Sequence, residues 1–588
     1  MNTAMDTVRS LWPLLTTLSL SVACGGASPP PADPPPGPSE AREVLDERAG
    51  LVLVEDAYGD SASELVYLDQ NWGPLKTLWY YHADQGSVLL PYDTLVSLEQ
   101  AESQEPIISP EFLARFRWLN QRATPNNPDA LPVGFARHKD RVGLTCAACH
   151  TGQINYQGAA LRVDGAPSLV DIPGFFAEIE AALAQTKSDE AKLERFAAAL
   201  SKRRPGAVTP EDASKHLDPT LAWFESYNQV NHSATPEGFG RLDAIGRIIN
   251  QVIRFTSDPV HSLPPNAPAS FPALWDAPRL DYVQWTGFSG NAGAGSLGRN
   301  AGEVIGVFGT VDVVHYDDEM AAKRGYTSTI EGQELVAMEE ALRDLTSPLW
   351  PDAVLPPIDR ELAKTGESLY ETNCVSCHHA IVRDDPKRSP IAPIYGVEVV
   401  GTDATEADNL LGARAPSGKL EGAVHFTEGE APYEAEVPVL LLLGDLVTRA
   451  LSAQPGAAVK AMANSKLQGL EETEKQGDYP PKTEENPLAP LRSYKARPLN
   501  GIWATAPFLH NGSVPTLYDL LLPPELRPAT FAVGRYEYDP KKVGYVSDGA
   551  VPFVVDTSLE GNGNGGHEYG TTLTDVERWA LVEYLKSL

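Results

Sequence analysis

Two pentapeptides carry the plainest chemistry in this sequence: Cys146-Ala147-Ala148-Cys149-His150 and Cys374-Val375-Ser376-Cys377-His378. In a CxxCH run the two thiols can add to the vinyl groups of a haem, and the histidine that follows can ligate its iron. Two intervening residues let one turn of chain span the porphyrin edge. Because cysteine is rare, one such pentapeptide has a chance expectation of roughly one in a thousand in a chain this long. A zinc site or a thioredoxin-type CxxC would use the same thiols. A four-cysteine zinc site could pair the two motifs, but it would not require a histidine after both. The expectation is two covalently bound haem c groups. Cys146 and Cys149 would attach the first and Cys374 and Cys377 the second, with His150 and His378 on the irons.

The other axial ligand decides what each haem can do. His567 follows a glycine-rich run, Gly561-Asn562-Gly563-Asn564-Gly565-Gly566, whose backbone can come close to a haem face. It is the expected sixth ligand of the second haem, opposite His378. A bis-histidine iron is closed to small molecules and would carry electrons. His510 reads as a structural residue or a propionate contact, and His379 as a bystander. Met338 reads as helix core, and neither Met320 nor Met462 has a ligand context. His232, His261 and His315 follow no pattern. The first haem therefore lacks an evident second ligand and is expected to be open, as oxygen or peroxide chemistry requires. Gln284-Trp285, Gly298 to Glu303 and Val307-Phe308 could roof it, which makes Trp285, Glu303 and Phe308 the candidate catalytic residues. Trp285 could relay an electron between haems or be simple core. Glu303 could move a proton as an O–O bond breaks; facing the first iron, it would favour a peroxidase.

These residues need elements to position them. Phe175 to Arg204 reads as one amphipathic helix, with further helices at Gly240 to Phe255 and Ile330 to Leu345. Asp359 to Thr372 is a helical run leading into the second motif. Thr574 to Leu588 is another, opened by a Thr574/Glu577 capping box, with Trp579, Val582 and Leu585 as its buried face. A helix before CxxCH that crosses a terminal helix is what a cytochrome c fold needs. The expected fold is mainly α: two cytochrome c-like haem domains with extensive loops and few short strands. The expected layout is a signal peptide at 1–23 and a lipidated cysteine with a proline-rich tether at 24–40. Residues 41–355 would hold the first, active haem, and 356–588 a C-terminal cytochrome c domain with the second.

Composition narrows the partners. A formal charge of -32 disfavours nucleic acid. The five cysteines are Cys24 and the four of the two motifs, so none is left for a structural disulfide. Leu11 to Ala23 is a short apolar run, and Leu20-Ser21-Val22-Ala23-Cys24 resembles a lipoprotein box. Either lipidation at Cys24 or simple signal cleavage would export the protein. An outer-membrane lipoprotein, a periplasmic protein or a secreted one fits, with membrane contact only through the lipid.

Arg497-Pro498-Leu499-Asn500-Gly501-Ile502-Trp503, then His510-Asn511-Gly512-Ser513 and Pro515-Thr516-Leu517, resembles the bacterial diheme cytochrome c peroxidase and methylamine-utilisation superfamily. Trp275 to Phe308 and the segment around His567 resemble one branch of it, the diheme rubber oxygenases. The resemblance runs from about Gly134 to the end. It implies an N-terminal haem, held by His150, that binds oxygen and cleaves polyisoprene double bonds. It also implies a bis-histidine second haem on His378 and His567, Trp285 between the haems and Phe308 as a distal apolar residue. Three functions follow. The favoured one is a dioxygenase acting on an apolar alkene polymer. Another is a peroxidase using hydrogen peroxide and a small electron donor. The last is an electron carrier without a substrate.

Overall fold

The computed structural model describes residues 48–53, 55–314, 325–424, 432–548 and 553–588. The expected signal peptide, Cys24 and the tether lie outside the described residues, as do His315 and Met320. Helices dominate, and the strands run from two to six residues.

Around the first motif, strand Ala159–Asp164 pairs antiparallel with Thr151–Tyr156 and parallel with Glu64–Tyr67. A hairpin of Phe135–His138 and Arg141–Leu144 leads into the short helix Cys146–Cys149, whose first turn Thr145 caps by accepting from the Ala147 amide. The hairpin start packs so closely that a Cβ at Gly134 would lie 2.3 Å from the Ala148 Cα. Only glycine fits there, and its φ of +89° suits glycine alone.

The helix expected from Phe175 to Arg204 is two helices, Ile172–Ser188 and Glu190–Arg203. Asp189 divides them. It ends the first, and its carboxylate accepts from the Lys192 amide to start the second. Capping by aspartate wins over continuing the helix because it satisfies an end donor that would otherwise go unpaired. The other expected helices form at Ala244–Thr256 and Gly332–Leu342.

At the second motif, helix Arg360–Asn373 crosses the terminal helix Asp575–Lys586. Tyr370 meets Tyr584 with ring centroids 5.3 Å apart. The capping box of Thr574 and Glu577 is present. Leu581, Val582 and Leu585 form the buried face. Trp579 instead lies half-buried and stacks on Tyr518 at 4.2 Å.

The hydrophobic core does not divide at position 355. One cluster joins Trp72, Tyr80 and Leu161 to Trp503, Tyr538 and Leu581. Trp350 meets Trp503 edge-on at 5.4 Å. Arg117, fully buried, pairs with Asp56 and Asp60, and Asp60 also accepts from the Tyr536 amide at 2.7 Å. A third cluster packs helices Ala244–Thr256 and Gly295–Gly306 against Val439–Ser452.

The crossing of the two C-terminal helices depends on Gly366, where a Cβ would lie 2.0 Å from the Ala580 carbonyl oxygen. Gly366→Ala is expected to cost about 1–3 kcal/mol and to lower Tm. Gly444, in the middle of helix Val439–Ser452, has open space around it. Gly444→Ala is therefore expected to be neutral or stabilising by about 0.5–1 kcal/mol. Equal destabilisation of both variants in thermal unfolding would refute this packing account.

Candidate active site at the two CxxCH cavities

Each motif opens onto its own cavity, with empty volumes of about 1530 Å³ at the first and 1470 Å³ at the second, mouths included. Cys146, Cys149 and His150 line the first. Cys374, Cys377, His378 and His567 line the second. Burial pushes the Cys146 and Cys374 thiols up to about 11 and raises Cys149 further. Such thiols are neutral, unlike the activated thiolate of a redox CxxC. Among the described residues no cysteine belongs to a three-ligand metal cluster, so nothing draws the two pairs into one zinc site.

In the second cavity His378 Nδ1 is hydrogen-bonded to the Arg497 carbonyl at 2.7 Å. That bond fixes the ring and leaves Nε2 free. The ring centroids of His378 and His567 are 6.2 Å apart. One metal ion between two imidazoles, with bonds of about 2 Å to each nitrogen, requires a separation of this size. Burial and the neighbouring His378 push the His567 pKa down to about 3, so its ring is neutral, as a ligand must be.

The glycine-rich loop carries His567 to this position. Arg527 donates to the carbonyls of Asn564, Gly566 and His567 at 2.6, 2.8 and 3.1 Å. The His567 amide donates to the Val400 carbonyl at 2.7 Å. A Cβ at Gly566 would lie 2.2 Å from the Gly401 carbonyl carbon. His510 lies at the edge of the same cavity, stacked on Tyr494 at 4.0 Å.

In the first cavity His150 is enclosed, and burial lowers its pKa to about 4. Phe271 stands edge-on to its ring at 6.1 Å. His150 is the only histidine among the described residues lining this cavity, and Met338 supplies a thioether to the lining. Glu303, on helix Gly295–Gly306, lines it too. Burial raises the Glu303 carboxyl, and Gln284 Nε2 donates to it. Phe308 stands apart. It packs against Phe176, Trp223 and Tyr227 at 5.1, 5.8 and 5.5 Å, and Val307 lines the cavity in its place. A φ of +71° at Phe308 turns its side chain into that aromatic cluster.

Trp285, Phe271, Lys495 and Arg497 line both cavities and so form the wall between them. Trp285 Nε1 donates to the Ser270 carbonyl at 2.8 Å, and its own carbonyl accepts from the Lys495 amide at 2.8 Å. Burial lowers Lys495 to about 7 and Arg497 to about 10. No carboxylate pairs with either cation among the described residues. Enclosed cations facing two cavities suit the acidic side groups of haem. The residues present thus fit haem at both motifs.

Sequence patterns did not reveal Glu406 or Gln85. Glu406 is buried on the first cavity, and its Oε2 has no partner. Gln85 Oε1 accepts from the Cys146 amide at 3.2 Å. Neither residue sits in a motif, and both come from chain segments remote from the cysteines.

The sequence profile of a family described as "RoxA-like, cytochrome c-like" matches residues 493–532, the stretch that supplies Lys495, Arg497 and His510. The uncharacterized protein y4iJ of Sinorhizobium fredii is 32% identical over 599 residues, covering 89% of this chain and 93% of that protein. This chain belongs to the y4iJ family. A second protein of that organism, the uncharacterized y4iM, is 29% identical over 265 residues, covering 40% of this chain and 51% of its own. The RoxA-like segment relates the chain to cytochrome c-like proteins, and a segment of that kind implies covalent haem c and a haem oxidoreductase in general terms.

Glu406 gives a test of the cavity's electrostatics. Burial raises its carboxyl from 4.5 to about 8, so the folded protein keeps a proton that the unfolded chain has already released. Stability from this residue is therefore lost as pH rises through that window. Glu406→Gln is expected to match wild type near pH 4 and to exceed it in Tm near pH 8. A residual slope should remain from Asp243, which burial raises to about 7. Parallel pH profiles for the two proteins would contradict the burial of Glu406.

Proposed function

We propose that the protein is an exported diheme c-type oxidoreductase that acts on an oxygen species at the His150 cavity and moves electrons through the His378 site. The contrast between the cavities carries this reading. His567 faces His378 across 6.2 Å, whereas no second imidazole lines the first cavity among the described residues. Cys146, Cys149 and His150 would hold one haem, and Cys374, Cys377, His378 and His567 the other. Haem held at His150 would supply a redox-active iron able to react with a small molecule.

The chain's own residues supply the rest. Glu303, whose carboxyl burial raises and to which Gln284 donates, lines the first cavity and is a group that could pass a proton there. Lys495 and Arg497 would neutralise acidic side groups in the wall. Trp285 keeps an aromatic ring fixed between the two sites. Phe271 helps to exclude water beside His150. Export with lipid on Cys24 belongs to the same proposal. No helix among the described residues is long and apolar enough to cross a membrane.

Of the two oxygen reactions, the geometry favours the peroxidase. Reducing hydrogen peroxide to two waters consumes two electrons and two protons, and Glu303, which lines that cavity, would carry protons for it. The second reading, a dioxygenase cleaving the double bonds of a polyisoprene-like polymer, rests on the resemblance of Trp275 to Phe308 and of the segment around His567 to the diheme rubber oxygenases. It places both oxygen atoms in the products and needs no reductant. A pure electron carrier would need a second axial ligand at the first iron as well.

Two experiments separate these readings. His567→Ala should open the second iron to carbon monoxide and cyanide while the first iron responds as before. An unchanged low-spin spectrum would remove His567 from the site. The peroxidase should turn over peroxide only with a reduced donor, and Glu303→Gln should lose about 10²–10⁴-fold in that rate. Oxygen uptake on a polyisoprene emulsion without reductant, yielding carbonyl end groups and indifferent to Glu303→Gln, would establish the dioxygenase instead.

A further inference from the structure

A third cluster of ligating groups lies outside both cavities. We infer that Asp84, His138 and Glu331 form a binding site for one first-row divalent cation of the manganese or zinc class. Their ligand atoms all lie within 4.8 Å of one another. His138 Nδ1 is 2.7 Å from Asp84 Oδ2 and 3.7 Å from Glu331 Oε1.

A simple ion pair explains only half of this. One Nδ1–H can serve one carboxylate, and 3.7 Å is beyond hydrogen-bond reach. Bonds of about 2.1 Å from three ligands to one cation place the ligand atoms about 3.0–3.5 Å apart. The two separations from His138 straddle that range, and the carboxylate oxygens lie within 4.8 Å of each other. His138 is 4% exposed, and Nδ1 is the ring nitrogen that faces the two carboxylates. Among the described residues, neither carboxylate pairs with a lysine or an arginine.

The donor set selects the ion class. One imidazole with two carboxylates suits manganese, zinc or iron(II). Calcium prefers six to eight oxygens and makes little use of imidazole. Asp84 and Glu331 are partly exposed, which leaves room for water to complete the shell.

The three ligands come from three segments that each run on into the first cavity's wall. Asp84 precedes Gln85, which accepts from the Cys146 amide. His138 ends the strand whose hairpin partner, Arg141–Leu144, leads to Cys146. Glu331 opens helix Gly332–Leu342, which carries Met338 and Glu339 to the cavity. The Glu331 amide also donates to the Gln85 carbonyl at 3.3 Å. A cation here would staple those segments together beside His150. The inference does not depend on which oxygen reaction the protein performs.

The test uses the full haem-loaded protein, stripped of loose metal with a chelator, in calorimetric titrations with manganese and with zinc chloride. One equivalent of one of these ions should bind and raise Tm by several degrees. The double variant Asp84→Asn/Glu331→Gln should keep the wild-type haem spectrum, weaken binding about a hundredfold or more, and lose the Tm response. Absence of stoichiometric binding by the folded wild type would leave an ion pair only and overturn the inference. Binding that persists in the double variant would do the same, by locating the ion elsewhere. Should the double variant lose its haem spectrum, Glu331→Gln alone, at the most exposed ligand, provides the same comparison.

Discussion

A histidine can offer one ring nitrogen to a metal only while the rest of the ring is held still. At the second motif a backbone carbonyl, that of Arg497, holds it, and much of the surrounding structure serves that contact. The 493–495 strand and the turn after it place the carbonyl. Tyr370 ties the other side by donating to the His378 carbonyl at 2.6 Å. The opposing His567 depends on backbone contacts as well, through Arg527 and the Gly566–Gly401 approach. Side-chain identity supplies the chemistry, and main-chain groups supply the aim.

The wall between the cavities is costly to build. Lys495 and Arg497 are enclosed, and Asp243 and Glu406 lie on the first cavity beside them. Burial works against the charged form of each. Such groups are tolerated where compensating charge is at hand. Under the proposed diheme reading, cations facing both ways would serve an acidic cofactor on each side of the wall, and cofactor binding would then add to the folding free energy as well as to the chemistry.

Much of this was legible beforehand, in proportion to how local each signal is. The Thr574/Glu577 capping box is contiguous, and the structure shows it. The CxxCH motifs are contiguous too, and each lies on a cavity. The run of glycines before His567 implies a close backbone approach, and Gly566 makes one to Gly401. The long helix at Phe175 to Arg204 was misread because Asp189 is as compatible with a helix surface as with a cap. Phe308 was misplaced because spacing from Trp285 says nothing of a positive φ that turns the ring away. Glu406, Gln85 and the Asp84–His138–Glu331 group are convergences of distant segments, and no single-sequence pattern records such meetings.

The continuity of the buried core across position 355 also bears on how such a chain can evolve. If the two motifs arose by duplication, the halves have since exchanged so much interior that neither is a module any longer. Trp503 is packed by Trp350, and Asp60 is bound by Arg117, Arg535 and the Tyr536 amide. A recombination event that swapped in a foreign C-terminal half would have to match those surfaces as well as supply a haem motif. Lineages of this protein should therefore diversify by changes within loops and cavity walls rather than by shuffling whole haem units.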